Sequence, residues 1–361
     1  MNDIAELKRF VVLHARSQQL PPEQYLAVLD RIVDDEEGRA GSWAVEWSRS
    51  ATELRERGDL LAACRHWTMA RFPYVDGPTR QKALDDAVAT FDAWRAVAGI
   101  DRLRLDTPRG ELSCWATGLS GEQARPLLLI MGGIVSTKEQ WAPALAMVRR
   151  LGMSGVVAEL PGVGQNTRPY DADSWRMIPD ILDGLGPAMS GVDVYVLALS
   201  FSGHLALRAA AHDDRLRGIV LAGAPVHDFF TDPDWQRGLP GVTRDTLAHL
   251  TGSTPATVAD RVRGWALTDE ELRSVRLPVS CVVSARDEVI PRSDVDRLSR
   301  TVPRMRRLEH DDVHGSPDHV EESQLWSVLS VLRMRRALPL RRAAMYGALG
   351  MLRLRRLRSA R

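Results

Sequence analysis

The sequence is short of lysine and cysteine and carries no surplus of either charge. Lys8, Lys82 and Lys138 are the only lysines among 48 basic residues. The skew toward arginine points to a GC-rich genome rather than to a function. Against those 48 bases stand 47 acids, for a net charge of +1. That balance argues against a dedicated nucleic-acid binder, which carries a marked basic excess. Cys64, Cys114 and Cys281 show no close pairing and no metal-like spacing, so reduced thiols are expected rather than a disulfide framework. No apolar run reaches the ~18 residues that span a bilayer. The opening MNDIAELKRFVV carries acids early and lacks a cleavable signal pattern. A cytoplasmic globular protein is the expectation. There is no internal repeat, no low-complexity linker and no G-x-x-x-x-G-K-[ST] string. Pro161-Gly162-Val163-Gly164 has the wrong glycine spacing for a dinucleotide fingerprint. No cofactor and no metal is therefore expected.

What is present is ordinary globular composition, 44% hydrophobic and 26% charged, over 361 residues. The length suits one large domain with additions, or two to three smaller ones. The first hundred residues are rich in Ala, Arg, Glu and Leu, with apolar residues at three- and four-residue steps, which predicts helices. Trp43, Trp47, Leu54, Leu60, Leu61, Cys64 and Trp67 form a stripe that reads as packed core rather than a cofactor box. After Ile100 the pattern changes. Residues 102–119 read as a strand pair turning at Pro108-Arg109-Gly110. Further strands are expected at 127–131, 155–160, 192–198, 216–222, 279–284 and 305–309, with helical stretches between most of them. Apolar strands alternating with helices predict a mostly parallel sheet covered on both faces. The expected division is a helical cap at 1–98, an α/β catalytic domain at 99–335 and a basic tail at 336–361. Helices inserted at about 226–272 read as a lid. The stretch 333–361 holds ten arginines and no acid. It reads as a solvated helix or frayed terminus, with docking to an acidic partner or a membrane surface as the sharper alternative.

The chemistry concentrates at 192–211, VDVYVLALSFSGHLALRAAA. An apolar strand runs directly into a serine, and a helical pattern follows. A nucleophile elbow needs that order, because the serine must stand on a strained turn above the sheet. Positions two before and two after must be small. The usual G-x-S-x-G reads Ala198-Leu199-Ser200-Phe201-Ser202 here. Ser202 is a rival, but placing it at the elbow would put His204 at a position that demands a small residue, so Ser200 is preferred. The bland alternative is a turn in which neither serine acts. In this fold class an acid and then a histidine follow the serine in chain order. Asp287 stands where the next-to-last strand ends, with Glu288 as fallback. His314 lies in the loop after the last strand and precedes Gly315; His310 and His319 are the alternatives. One oxyanion donor is expected at the backbone N–H of Phe201, and the other at Gly133 or Ile134 in the Gly-Gly loop after the first parallel strand.

These residues resemble the α/β-hydrolase branch that contains fermentation–respiration-switch proteins and 2,6-dihydroxypseudooxynicotine hydrolase. Fungal polyketide-shortening hydrolases are also similar. The resemblance is carried by MGGIVSTKEQW at 131–141, ELPGVGQN at 159–166, the LSFSGHLALRAAA elbow, SARDEVIP at 284–291 and VHG at 313–315. It extends to the helical stretch 44–75 and spans roughly 40–332. Members usually have an acid where this chain has Val135, and glycines where it has Ala198 and Ser202. The resemblance implies an α/β-hydrolase fold with an N-terminal helical cap. It also implies hydrolysis of esters or of carbon–carbon bonds beside carbonyls. The leading expectation is a serine hydrolase with Ser200, Asp287 and His314 as triad, acting on a hydrophobic ester, thioester or ketone, with a place in secondary metabolism. Alternatives are an acyltransferase or cyclase on the same triad, and a non-catalytic binding protein on the same fold. The expected partner is a hydrophobic small molecule, with no nucleic acid; a homodimer stays open.

Overall fold

The computed structural model describes residues 2–120 and 124–359; Met1 of the N-terminal region and Ala360 and Arg361 of the tail lie outside the described residues. The hairpin expected after Ile100 consists of Asp101–Thr107 (β1) and Gly110–Thr117 (β2), joined by Pro108 and Arg109. Next come Leu127–Met131 (β3), Ser154–Ala158 (β4), Val194–Leu199 (β5), Leu216–Ala222 (β6), Val279–Ser284 (β7) and Met305–His310 (β8). Every residue of β3, β4 and β7 is buried. Full burial is the signature of strands covered on both faces, which their continuous apolar runs predict. The eight strands form one sheet in the order β1-β2-β4-β3-β5-β6-β7-β8. Only β2 pairs antiparallel to β1 and β4; the remaining ladders are parallel. This is the α/β-hydrolase architecture. β4 stops at Ala158, short of the expected 160, because the Glu159 carbonyl takes the Asn166 side-chain amide at 3.0 Å and leaves the ladder.

Five helices precede the sheet: Ile4–Ser17 (α1), Pro22–Arg31 (α2), Trp43–Glu56 (α3), Leu60–Arg71 (α4) and Pro78–Ala98 (α5). Asp3 caps α1 by accepting the N–H groups of Ala5 and Glu6 at 2.8 and 3.1 Å. Gly99, at φ 66°, ends α5 in the left-handed conformation that glycine adopts freely. The tryptophan stripe is core, as its spacing predicts. Trp43, Trp47 and Trp67 are all buried, and the Trp43 indole donates to the Met69 carbonyl at 2.8 Å. One apolar body continues from Leu7, Trp43 and Phe91 to Trp115, Leu128 and Val157 on the sheet. The ring centroids of Phe91 and Trp115 lie 4.9 Å apart.

Short helices fill the long gap between β6 and β7. One of them, Gly241–Leu250, is tied to α1 by Glu6, whose carboxylate accepts the N–H groups of Gly241 and Val242 at 2.9 and 2.8 Å. The far end of the gap is tied elsewhere. The Trp265 carbonyl accepts from His204 at 2.8 Å and from Arg208 at 2.9 Å. At the C-terminus, Pro339–Ser359 is a helix docked on Val320–Met334, with Arg353 2.6 Å from Glu322. No helix among the described residues is long and apolar enough to cross a membrane.

Candidate active site

β3 and β5 are neighbours, with Met131 opposite Ala198. The loops leaving their carboxyl ends therefore emerge side by side, in the crevice where open α/β sheets bind ligands. Ser200 follows β5 at φ 57°, a left-handed conformation that costs a residue with a Cβ roughly 1–2 kcal/mol. The turn is held by the Ser200 N–H, which donates to the Ala222 carbonyl at 2.6 Å, and it leads into the helix Ser202–Ala210. Ser202 has a different job. It is fully buried, and its hydroxyl lies 2.9 Å from the carbonyls of both Met131 and Leu199. A serine is accommodated where glycine is usual because the backbone beneath the elbow takes up its one polar group.

The three residues expected from different strand ends meet here. His314 Nε2 is 2.9 Å from Ser200 Oγ, and His314 Nδ1 is 2.9 Å from both carboxylate oxygens of Asp287. The Asp287 carboxylate is itself fixed by the N–H groups of Val289 and Ile290 at 2.9 and 2.8 Å. Glu288 accepts the backbone N–H of His314 at 3.0 Å, so it holds the loop rather than the ring. His310 and His319 stack on each other at 4.3 Å, and His319 Nδ1 contacts Asp312 at 2.9 Å. His319 lies in the short turn Pro317–His319, just ahead of the helix Val320–Met334. Burial disfavours the charged form of His314, but the charge and hydrogen bond of Asp287, together with Glu288, outweigh it and raise the pKa above the ordinary 6.5.

The Gly-Gly loop stands against the serine. A Cβ on Gly133 would lie 3.0 Å from Ser200 Cβ and 3.4 Å from its Oγ. Gly133 and Ile134 both line the cavity above Ser200, whereas the Phe201 side chain is buried behind the elbow against Phe229. The loop is pinned from two sides. Arg71, buried at the end of α4, donates to the carbonyls of Val135 at 2.6 Å and Pro73 at 2.8 Å. Lys138, fully buried at the loop's far end, lies 3.0 Å from Glu139 and 2.9 Å from Glu159. Trp115 donates to Glu139 at 2.9 Å. Burial alone would drive the proton off Lys138, yet the two carboxylates outweigh it and raise its pKa. Burial pushes the Glu159 carboxyl up. For Glu139 the same upward push is overcome by Lys138 and Trp115, leaving its pKa below the ordinary value.

Three contributors escape sequence reasoning. Gly223, at φ 66°, follows β6, and a Cβ on it would lie 2.7 Å from His314 Cε1 and 3.4 Å from Asp287 Oδ2. Its signal was a glycine directly after a parallel strand. Arg71 was signalled only as a charge on an otherwise apolar helix face. The third is His14. Phe10, Leu13, His14 and Ser17 recur along one face of α1 and line a cavity of about 160 Å³ that includes Ser200 and His314. An outer groove of about 840 Å³ shares Phe10, Leu13 and Glu288 with it and runs out past Arg9 and Arg286. Of the region 226–272, only Val242 and Thr243 line the cavity.

Comparison with known proteins agrees with the fold. The model of a family described as "Esterase FrsA-like" matches residues 27–301. Esterase FrsA of Vibrio vulnificus is 20% identical over 279 residues, which cover 71% of this chain and 67% of that protein. Esterase FrsA of Vibrio cholerae is 22% identical over 282 residues, covering 71% and 68%. A solved structure titled AbyA5 is 51% identical, with a TM-score of 0.93 over 97% of this chain and 100% of that one. The 2,6-dihydroxy-pseudo-oxynicotine hydrolase shares the fold at 20% identity, with a TM-score of 0.68 over 87% of this chain and 94% of that one.

Proposed function

The chain belongs to the FrsA-like esterase family, and from that premise we propose that it is a serine hydrolase cleaving an ester or thioester of a small hydrophobic metabolite. In this reading Ser200 is the nucleophile, His314 the base and Asp287 the residue that orients the imidazole. The observation that carries it is the continuous Ser200–His314–Asp287 hydrogen-bond chain, with both links at 2.9 Å, at a serine in the left-handed conformation.

The chemistry follows from that geometry. His314 Nε2 takes the Ser200 proton as Oγ attacks the substrate carbonyl. The developing oxyanion is held by the N–H of Phe201 and by that of Gly133 or Ile134. Asp287 stabilises the imidazolium through Nδ1–H. Collapse expels the alcohol or thiol, which receives the proton from His314. Water, deprotonated by the same imidazole, then releases the acid from the acyl-enzyme. The apolar walls of Phe10, Leu13, Phe72 and Val289 support a hydrophobic acyl group. Hydrolysis of p-nitrophenyl butyrate tests the reading. The wild-type chain should turn it over, and Ser200→Ala should lose about 10⁶ in kcat. Turnover undiminished in Ser200→Ala overturns the assignment.

A further inference from the structure

We propose that the cavity holds a second recognition point, at which the imidazole of His14 hydrogen-bonds an oxygen of the substrate other than the scissile carbonyl. This role rests on Ser200 being the nucleophile and adds the substrate class. The substrate is a hydrophobic acyl compound with a further ketone or hydroxyl group, not a plain alkyl ester.

The argument begins with α1. Its residues at successive i, i+3, i+4 and i+7 positions, Phe10, Leu13, His14 and Ser17, form one face, and that face is a wall of the cavity containing Ser200. Three of these four have no need of a partner there. Phe10 and Leu13 are apolar, and the Ser17 hydroxyl donates to the His14 carbonyl at 2.8 Å. The His14 ring is different. Phe72 braces it with ring centroids 5.1 Å apart, and neither ring nitrogen takes a hydrogen bond from the described residues. Two further polar side chains of the same cavity share this state. Ser136 and Thr243 are 4% and 5% exposed, and among the described residues neither hydroxyl has a protein partner. Polar groups removed from water cost free energy unless something pairs with them. A purely hydrocarbon substrate would leave all three unpaired.

The imidazole is also held in place before any substrate arrives. Glu6 fastens the first turns of α1 to the helix Gly241–Leu250 through two backbone N–H groups. Arg16 fastens the last turn to Asp318 at 2.7 Å, beside the loop that carries His314. His14 lies between these two clamps, so little conformational freedom is lost when it binds. Its charge state suits recognition. Burial first, then the charges of Arg71 and His314, lower its pKa from 6.5 to about 4. Near neutral pH the ring is uncharged, with one N–H to donate to a ketone and one nitrogen to accept from a hydroxyl.

The test uses alkyl fluorophosphonates with six-carbon chains, one plain and others carrying a ketone at the third, fourth or fifth carbon. The readout is the second-order rate of Ser200 labelling on the full chain. One ketone position should react about tenfold faster than the plain chain, the worth of one hydrogen bond. His14→Leu should abolish that preference, bringing the ketone probes to the rate of the plain chain in the same variant, and His14→Gln should retain part of it. Equal rates across the series in the wild type, an unchanged preference in His14→Leu, or an equal loss toward every probe would overturn the role of His14. Absence of label on Ser200 in the folded wild type would instead overturn the nucleophile beneath it.

Discussion

A histidine acting as base works only while it is neutral. The Asp287 carboxylate keeps His314 protonated to higher pH than a free imidazole, against the pull of burial. Activity is therefore present above the raised pKa and is lost as pH falls through it. The acid limb of kcat/KM should lie above ~6.5, the ordinary histidine value. Asp287→Asn removes the charge and the hydrogen-bond acceptor that do most to raise the pKa, and leaves burial opposed only by the charge of Glu288. The limb should then move below ~6.5 while kcat falls severely. A pH profile of p-nitrophenyl ester hydrolysis between about 5 and 9 measures both. A wild-type limb at or below the ordinary value, or one that Asp287→Asn leaves in place, would contradict the pairing. Ser200, Asp287 and His314 were legible because each stands a few residues beyond a strand, and that offset is written locally. Gly223, Arg71 and His14 were not. Gly223 and Arg71 act on residues more than 60 positions away in the chain, and His14 shares a cavity with Ser200 far along it; no local pattern records such contacts.

Among the elements, the loop between β3 and Lys138 has the most to lose from displacement. Gly133 stands against Ser200, where a Cβ would lie 3.0 Å from Ser200 Cβ, yet the loop's own backbone bonding is a single turn, Ser136 N–H to the Gly133 carbonyl at 3.1 Å, among the described residues. Arg71 holds it from α4, and Lys138 anchors its end between Glu139 and Glu159. Arg71 and Lys138 also balance those two buried carboxylates, charge for charge. Arg71→Met removes the donor to the Val135 carbonyl and one of the two cations. Displacement of a reacting group by about 1 Å costs about 10²-fold, so kcat should fall by roughly 10–100-fold with KM changed far less. Arg71→Lys should recover part of the loss. Steady-state kinetics on the two variants give the answer: a change confined to KM, or no change in kcat, would show that α4 does not position the loop. The strands were read within a few residues from their apolar runs. Which part of 226–272 reaches the cavity was not. Its far end is bound to His204 and Arg208 on the elbow helix, and only the turn tied to Glu6 reaches the cavity. Helical periodicity announces helices but not the surface they cover.

For the molecule as a whole, the N-terminal helices and the sheet share one apolar body. Phe91 packs on Trp115, whose indole holds Glu139 in the ion cluster beneath the loop. Arg71, Glu6 and His14 bring the same helices to the loop, the mouth and the wall of the cavity. The helical character of this region was plain from composition. Its continuity with the catalytic sheet was not, because an apolar helix position records that it is buried but not which element buries it. All these contacts converge on one serine, and covalent labelling of the full chain reads that convergence directly. After reaction with a fluorophosphonate, peptide mapping by mass spectrometry should find a single adduct on Ser200. The adduct should still form in Ser202→Ala and should be slowed severely in His314→Ala. An adduct on Ser202, or a folded wild-type chain left unmodified at Ser200, would contradict it.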